Sequence, residues 1–260
     1  MGDVRIVSLG SGSRGNATLV EFRDTRVLID AGLSARDLAG RLARVRVDPA
    51  SLAAILLSHE HHDHARGAER FSNLHRIPVA CSAATLAAMN LAPQHFARWL
   101  PFESGVPLAL DGITVHPFAV PHDAADPVGF VLDSGGLRVG VVTDIGHATT
   151  VVLERLKRCH ALVLESNHDD ELLRTGPYPW HLKQRVSGRL GHLSNDEAAA
   201  VLRRVAGDEL SAVVLVHLSE KNNTPALARA AAGRALADAG QARVDMRVAP
   251  QRVPAPAVEL

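Results

Sequence analysis

Ala53-Ala54-Ile55-Leu56-Leu57-Ser58-His59-Glu60-His61-His62-Asp63-His64 joins a short apolar run to an H-x-H-x-D-H pattern. The run Ala53–Leu57 predicts a buried strand, and His59, His61, Asp63 and His64 then sit on the turn leaving it. On an extended turn His59 and His61 can aim two imidazoles at one cation, while Asp63 and His64 face a second. Imidazole and carboxylate suit borderline metals such as zinc or manganese, and a two-metal site hydrolyses phosphoryl or acyl groups. Glu60 and His62 read as spacers. A chain with 14 histidines can gather some by chance in a polar loop. The strand-then-loop context argues against that here.

Composition bounds the rest. The chain has 260 residues, 47% of them hydrophobic, enough for a sizeable core. Lys and Arg number 28 and Asp and Glu also 28, so no global positive field draws nucleic acid and any such binding needs a local patch. Cys81 and Cys159 lie far apart and form no C-x-x-C, which points to a reducing cytoplasm and two small core residues. No signal peptide and no membrane span is expected.

Strand-like and helix-like stretches interleave throughout. Strands are predicted over 5–9, 17–22, 26–29, 51–57, 77–80, 113–120, 128–133, 137–143, 161–165, 212–216 and 246–248. Helices are predicted over 34–46, 67–74, 82–90, 149–158, 194–206 and 225–239. Ser34 N-caps the first helix, whose Leu38, Leu42 and Val45 form a core stripe, and Ser194 with Glu197 forms a capping box. Residues 166–191 look least regular. The pattern implies one α/β domain over 1–248 followed by an irregular tail, 249–260.

A dinuclear site needs further ligands at strand ends. His122 follows the strand ending at Val120, Asp144 the one ending at Thr143, and His217 the one ending at Val216. A lone polar residue after a strand is usually a satisfied end. Three of ligand type, in order after H-x-H-x-D-H, strengthen one another.

With these motifs in order from Asp30 to His217, the sequence resembles the metallo-β-lactamase superfamily. The resemblance implies a four-layer αβ/βα sandwich, two mixed β-sheets face to face with helices outside, and metals at one edge. It places His59, His61 and His122 on a first metal, and Asp63, His64 and His217 on a second. Asp144 bridges both, and Asp30 orients ligands from behind. Asp30 before Gly32 also reads simply as a turn residue. Gly10–Asn16, Pro121–Gly129, Leu164–Asp169, Gly176–Pro179, Gly191–Asn195 and His217–Ser219 followed by Asn222-Asn223 narrow the resemblance to the YycJ/WalJ-like branch. That branch implies a cytoplasmic nuclease using two divalent ions, zinc or manganese, with 5′-to-3′ exonuclease action on DNA.

The residues carry features of their own that suit phosphodiester chemistry. Gly191-His192-Leu193-Ser194-Asn195 precedes a helix start, a natural phosphate site to which Ser194 and Asn195 add donors. Ser194 as a plain N-cap is the competing reading. Asn167 and His168 follow a buried strand and are substrate-binding candidates. Arg174, Lys183, Arg185 and Arg189 offer a patch for a nucleic-acid backbone, and Tyr178 or Trp180 could stack a terminal base. The expected mechanism is in-line attack by a metal-bridging hydroxide, with Asp63 as orienting group or base and His192 as general acid. A thioester or lactone hydrolase with the same ligands, and a non-catalytic regulator keeping a metal pair, are the rival readings.

Overall fold

A computed structural model describes residues 3–260. The strands are β1 (Val4–Gly10), β2 (Ala17–Phe22), β3 (Thr25–Ile29), β4 (Leu52–Leu56), β5 (Val79–Cys81), β6 (Trp99–Pro101), β7 (Leu108–Leu110), β8 (Ile113–Ala119), β9 (Val128–Ser134), β10 (Leu137–Val142), β11 (Ala161–Glu165), β12 (Ala212–Val216), β13 (Asp245–Val248) and β14 (Val258–Glu259). The helices are α1 (Ala35–Arg44), α2 (His62–Ala65), α3 (Ala68–His75), α4 (Ala83–Ala88), α5 (Thr150–Leu156), α6 (Asp170–Thr175), α7 (Trp180–Val186), α8 (Asn195–Val205) and α9 (Pro225–Asp238).

The strands form two mixed seven-stranded sheets, in the orders β14-β1-β2-β3-β4-β5-β6 and β13-β12-β11-β10-β9-β8-β7. The chain divides into two compact units. The first runs to Pro117 and adds Ala124–Val128 and Pro250–Leu260; the second comprises Phe118–Asp123 and Gly129–Ala249.

In the first unit β1, β2 and β3 form an antiparallel meander, and β3, β4, β5 and β6 then run parallel. Parallel strands need crossovers, and α1, α3 and α4 lie in the three here. Ser34 Oγ accepts the Asp37 N–H at 3.1 Å, and Leu38 and Leu42 bury the inner stripe. They pack with Val7, Leu9, Leu28, Ile55 and Phe71 in one core. The tail read as irregular is tied down: β14 pairs with β1, and Ala255 N donates to Ser8 O.

The second unit repeats the plan. β9 and β10 form a hairpin, after which β10, β11, β12 and β13 run parallel. Its core joins Val142, Leu164 and Leu215 to Leu156 of α5, Leu202 of α8 and Ala235 of α9. The capping box at α8 forms, with Ser194 and Glu197 bonded reciprocally. The stretch 166–191, expected to be irregular, folds α6 and α7, helices of six and seven residues. Each is under two turns long, too short to show a 3.6-residue period in sequence. Among the described residues no helix is long and apolar enough to cross a membrane.

Candidate metal centre

In both units most of the ligand-type residues stand at the carboxyl ends of parallel strands; His122 instead follows the antiparallel β8. In the first, the chain leaves β3 at Asp30 in the left-handed region, φ 61°, a conformation Asp tolerates better than most residues. Its carboxylate is 2% exposed and therefore needs partners. Oδ1 accepts Ser58 N at 2.8 Å and Ser58 Oγ at 2.9 Å, and Oδ2 lies 2.7 Å from His64 Nδ1. Ser58 Oγ in turn lies 2.9 Å from His59 Nδ1. With the serine proton given to Asp30, the His59 Nδ1–H donates to Ser58 and the ring's lone pair is at Nε2. Likewise His64 donates from Nδ1 and carries its lone pair at Nε2, where Asn16 Nδ2 approaches to 2.9 Å.

The loop itself is packed closely. Its Asp63 carbonyl accepts Asn16 N at 2.8 Å, and a Cβ on Gly32 would lie 1.6 Å from that oxygen. Only glycine lets the turn after Asp30 run beneath the ligand loop. The ring centroid of His59 is 4.6 Å from that of His61 and 4.2 Å from that of His64. Three imidazoles this close, with Asp63 at their edge, are a donor set for a borderline divalent ion. Asp63 keeps a side chain 24% exposed.

In the second unit Asp144 ends β10 with φ 50° and His217 ends β12 with φ 58°, both left-handed. Between them β11 ends at Glu165, which is 0% exposed. Glu165 Oε2 accepts Ile145 N at 2.9 Å and Leu193 N at 3.2 Å; Oε1 lies 2.8 Å from both His192 Nδ1 and His217 Nδ1. His217 Nδ1 also contacts Asp144 Oδ1. Asp144, Glu165, His192 and His217 offer donor atoms all within 4.8 Å of one another. His122 donates Nδ1–H to Gly191 O at 3.1 Å, and its Nε2 lies 3.8 Å from Asp144 Oδ2. Burial lowers the pKa of His122 despite the nearby Asp144. Burial would also lower His192, but the Glu165 and Asp144 carboxylates outweigh it and push that imidazole up to about 9. Burial would raise Glu165, but the facing His192 and His217 hold it well below the usual carboxylate range.

Residues 25–218 match the beta-lactamase superfamily domain. The exodeoxyribonuclease YycJ of Bacillus anthracis is 33% identical over 89% of this chain and 89% of its own length. The exodeoxyribonuclease WalJ of Streptococcus pneumoniae is 33% identical over 85% of this chain and 83% of its own. The chain belongs to the YycJ/WalJ branch of the metallo-β-lactamase superfamily. In structure it resembles the metallo-beta-lactamase fold protein YhfI from Bacillus subtilis, with a TM-score of 0.76 and 16% identity over 97% of this chain and 99% of that one. It is thus an enzyme of a metallo-hydrolase family with the α/β metallo-β-lactamase fold.

The donor chemistry of this YycJ/WalJ-branch protein fits divalent metal. His59, His64, His122 and His217 each have Nδ1 against a fixed oxygen, of Ser58, Asp30, Gly191 and Glu165 respectively. That arrangement sets the tautomer and aims Nε2, as metal-binding histidines require.

The four residues read as substrate-binding are all buried. Asn167 is 7% exposed, His168 1%, Ser194 2% and Asn195 4%. Asn167 Nδ2 donates to His217 O at 2.8 Å and so holds the His217 turn. Asn195 Oδ1 accepts Ser166 Oγ at 2.6 Å and Asn223 Nδ2 at 2.9 Å. Ser194 Oγ accepts Glu197 N as the α8 cap, and the backbone of His168 forms a parallel bridge with that of Ser194. The side chains of Asn167, Ser194 and Asn195 thus tie neighbouring loops together.

Two residues escaped the sequence reading. Glu165 carries the signal that marks Asp144 and His217, a charged or polar residue at the end of an apolar strand. Asn16 lies in a Gly/Ser loop with no local signal, since its partners are 47 and 48 positions away.

Proposed function

We propose that this protein is a dinuclear-metal phosphodiesterase, a 5′-to-3′ DNA exonuclease acting in the cytoplasm, with residues 1–248 as one catalytic domain. His59, His61 and His122 would hold one ion, Asp63, His64 and His217 the other, with Asp144 shared; zinc and manganese both suit the set. The observation that carries the reading is the set of imidazoles whose Nδ1 atoms are all held by Ser58, Asp30, Gly191 and Glu165, beside Asp63 and Asp144. The curated relatives, named exodeoxyribonucleases, direct the substrate choice to DNA. The unpaired, buried thiols of Cys81 and Cys159 suit a reducing compartment.

Bound divalent ions activate water near neutral pH and neutralise charge on phosphate oxygens. Asp63 orients the attacking water and takes its proton as the new P–O bond forms. His192, its Nδ1 held on Glu165, gives a proton to the departing 3′-oxygen as the old P–O bond breaks. A mononucleotide and a shortened strand with a 5′-phosphate result.

The test is release of mononucleotides from 5′-phosphorylated DNA by chelator-treated protein resupplied with manganese or zinc. A thioester is assayed in parallel. Asp63→Ala should cut DNA hydrolysis by at least about a thousandfold while circular dichroism stays native. Turnover of the thioester but not of DNA, or a D63A variant that keeps most of its rate, would sink the reading.

A further inference from the structure

The segment 176–191, Gly-Pro-Tyr-Pro-Trp-His-Leu-Lys-Gln-Arg-Val-Ser-Gly-Arg-Leu-Gly, has no part in holding metal, yet it is fastened to the site residues at its carboxyl end. Leu190 O accepts Asp123 N at 3.1 Å, Gly191 O accepts His122 Nδ1, and Val186 O accepts His192 N at 2.9 Å. Arg185 Nε donates to Asp123 Oδ2 at 2.7 Å. The Arg189 carbonyl packs so tightly that a Cβ on Gly146 would come within 2.2 Å of it.

From this anchorage α7 runs back to Trp180, which is 71% exposed, the most open of the large apolar side chains described. An indole held in water at the start of a helix, in a chain only 3% aromatic, has no packing role to explain it. The segment contains Lys183, Arg185 and Arg189 and no carboxylate of its own, in a chain whose formal net charge is zero; Arg185 faces Asp123, and Lys183 Nζ donates to Arg174 O at 2.7 Å. Arg189 is exposed, and Nη2 lies 3.4 Å from His147 Nε2. An aromatic face beside cations is the chemistry that receives single-stranded nucleic acid: the ring stacks any base and the cations follow the backbone.

We propose that α7 and its flanks guide the substrate strand, with Trp180 stacking a base two to three nucleotides from the cleaved phosphodiester. This rests on the nuclease reading above. The spacing follows from the helix. Six residue steps at about 1.5 Å each put Trp180 roughly 9 Å along the helix from Val186 and its bond to His192, and stacked bases rise about 3.4 Å per step. Trp180 is a positioning residue for long substrates and lies beyond the reach of short ones.

The experiment compares wild type, Trp180→Ala and Trp180→Phe, metal-loaded, on a 5′-phosphorylated ten-nucleotide strand and on a 5′-phosphorylated dinucleotide. W180A should raise KM about tenfold for the long strand, leave kcat nearly unchanged and leave the dinucleotide unaffected, while W180F restores KM to within about twofold. Equal KM values for all three proteins on the long strand would overturn the proposal. So would a loss of the same size on both substrates, which would mark a structural role. Tryptophan fluorescence separates this inference from the function reading. Quenching of wild type by the strand, absent in W180F where Trp99 alone reports, supports strand binding even if no hydrolysis is found. Hydrolysis without that quenching leaves the function reading standing and removes this one.

Discussion

The two units reach similar chemistry by opposite routes. In the first, His59, His61, Asp63 and His64 arrive in one loop after β4, and Asp30 braces two of them through Ser58 and His64. In the second, His122, Asp144 and His217 arrive singly from the ends of β8, β10 and β12, and a buried Glu165 collects the loops around it. One unit keeps its ligands adjacent along the chain; the other brings them together by strand register. Hence the brace should matter more in the second, where no local spacing holds the ligands if the carboxylate is lost.

Glu165→Ala is the hardest test of that difference. It removes the acceptor for Ile145 N, Leu193 N, His192 and His217 at once. Metal affinity measured by calorimetry and nuclease rate should both fall by about a hundredfold or more, and each orphaned backbone N–H should cost about 1–3 kcal/mol in urea melts. Asp30→Asn should do less. Asparagine keeps an acceptor for Ser58 but loses the charge facing His64, so we expect about a tenfold loss of metal affinity with a nearly native melt. If D30N proved as damaging as E165A, the contrast between loop-borne and strand-borne ligands would fail.

The smallest effect follows from the cysteines, one in each unit. Burial pushes the Cys81 thiol up to about 11 and the Cys159 thiol up to about 12. Folded protein should therefore resist iodoacetamide at pH 8, and peptide mapping of labelling in rising urea should show which unit opens first. The sign for stability follows. Above about pH 8.5 the unfolded thiols lose protons that the folded ones keep, so the unfolding free energy should decline as pH rises from there. Rapid labelling of both cysteines in native buffer would contradict this packing.

Legibility in the sequence followed the range of the interactions. The H-x-H-x-D-H loop is read from six adjacent positions, and β4 before it from an apolar run. His122, Asp144 and His217 are visible because a polar residue ending an apolar strand is a local event. The capping box at Ser194 and the stripe Leu38–Leu42 are local too. What failed was longer in range or shorter in extent. α6 and α7 have too few turns to display a period. The tail's pairing with β1 and Asn16's approach to His64 depend on residues far along the chain. The burial of Asn167 and Asn195 is also hidden, because sequence shows a polar side chain but not its neighbours.

The sequence alone determined the ligand-type residues, their order, the strands that precede them and the family to which the chain belongs, since all of these are written in spacings of a few residues. Tertiary structure decided which carboxylates brace the imidazoles, which partners Ser194 and the asparagines take, and that Trp180 stands open at the far end of a helix anchored on the site. Burial and hydrogen-bond partnership are properties of neighbours in space, and the chain brings those neighbours from tens of positions away.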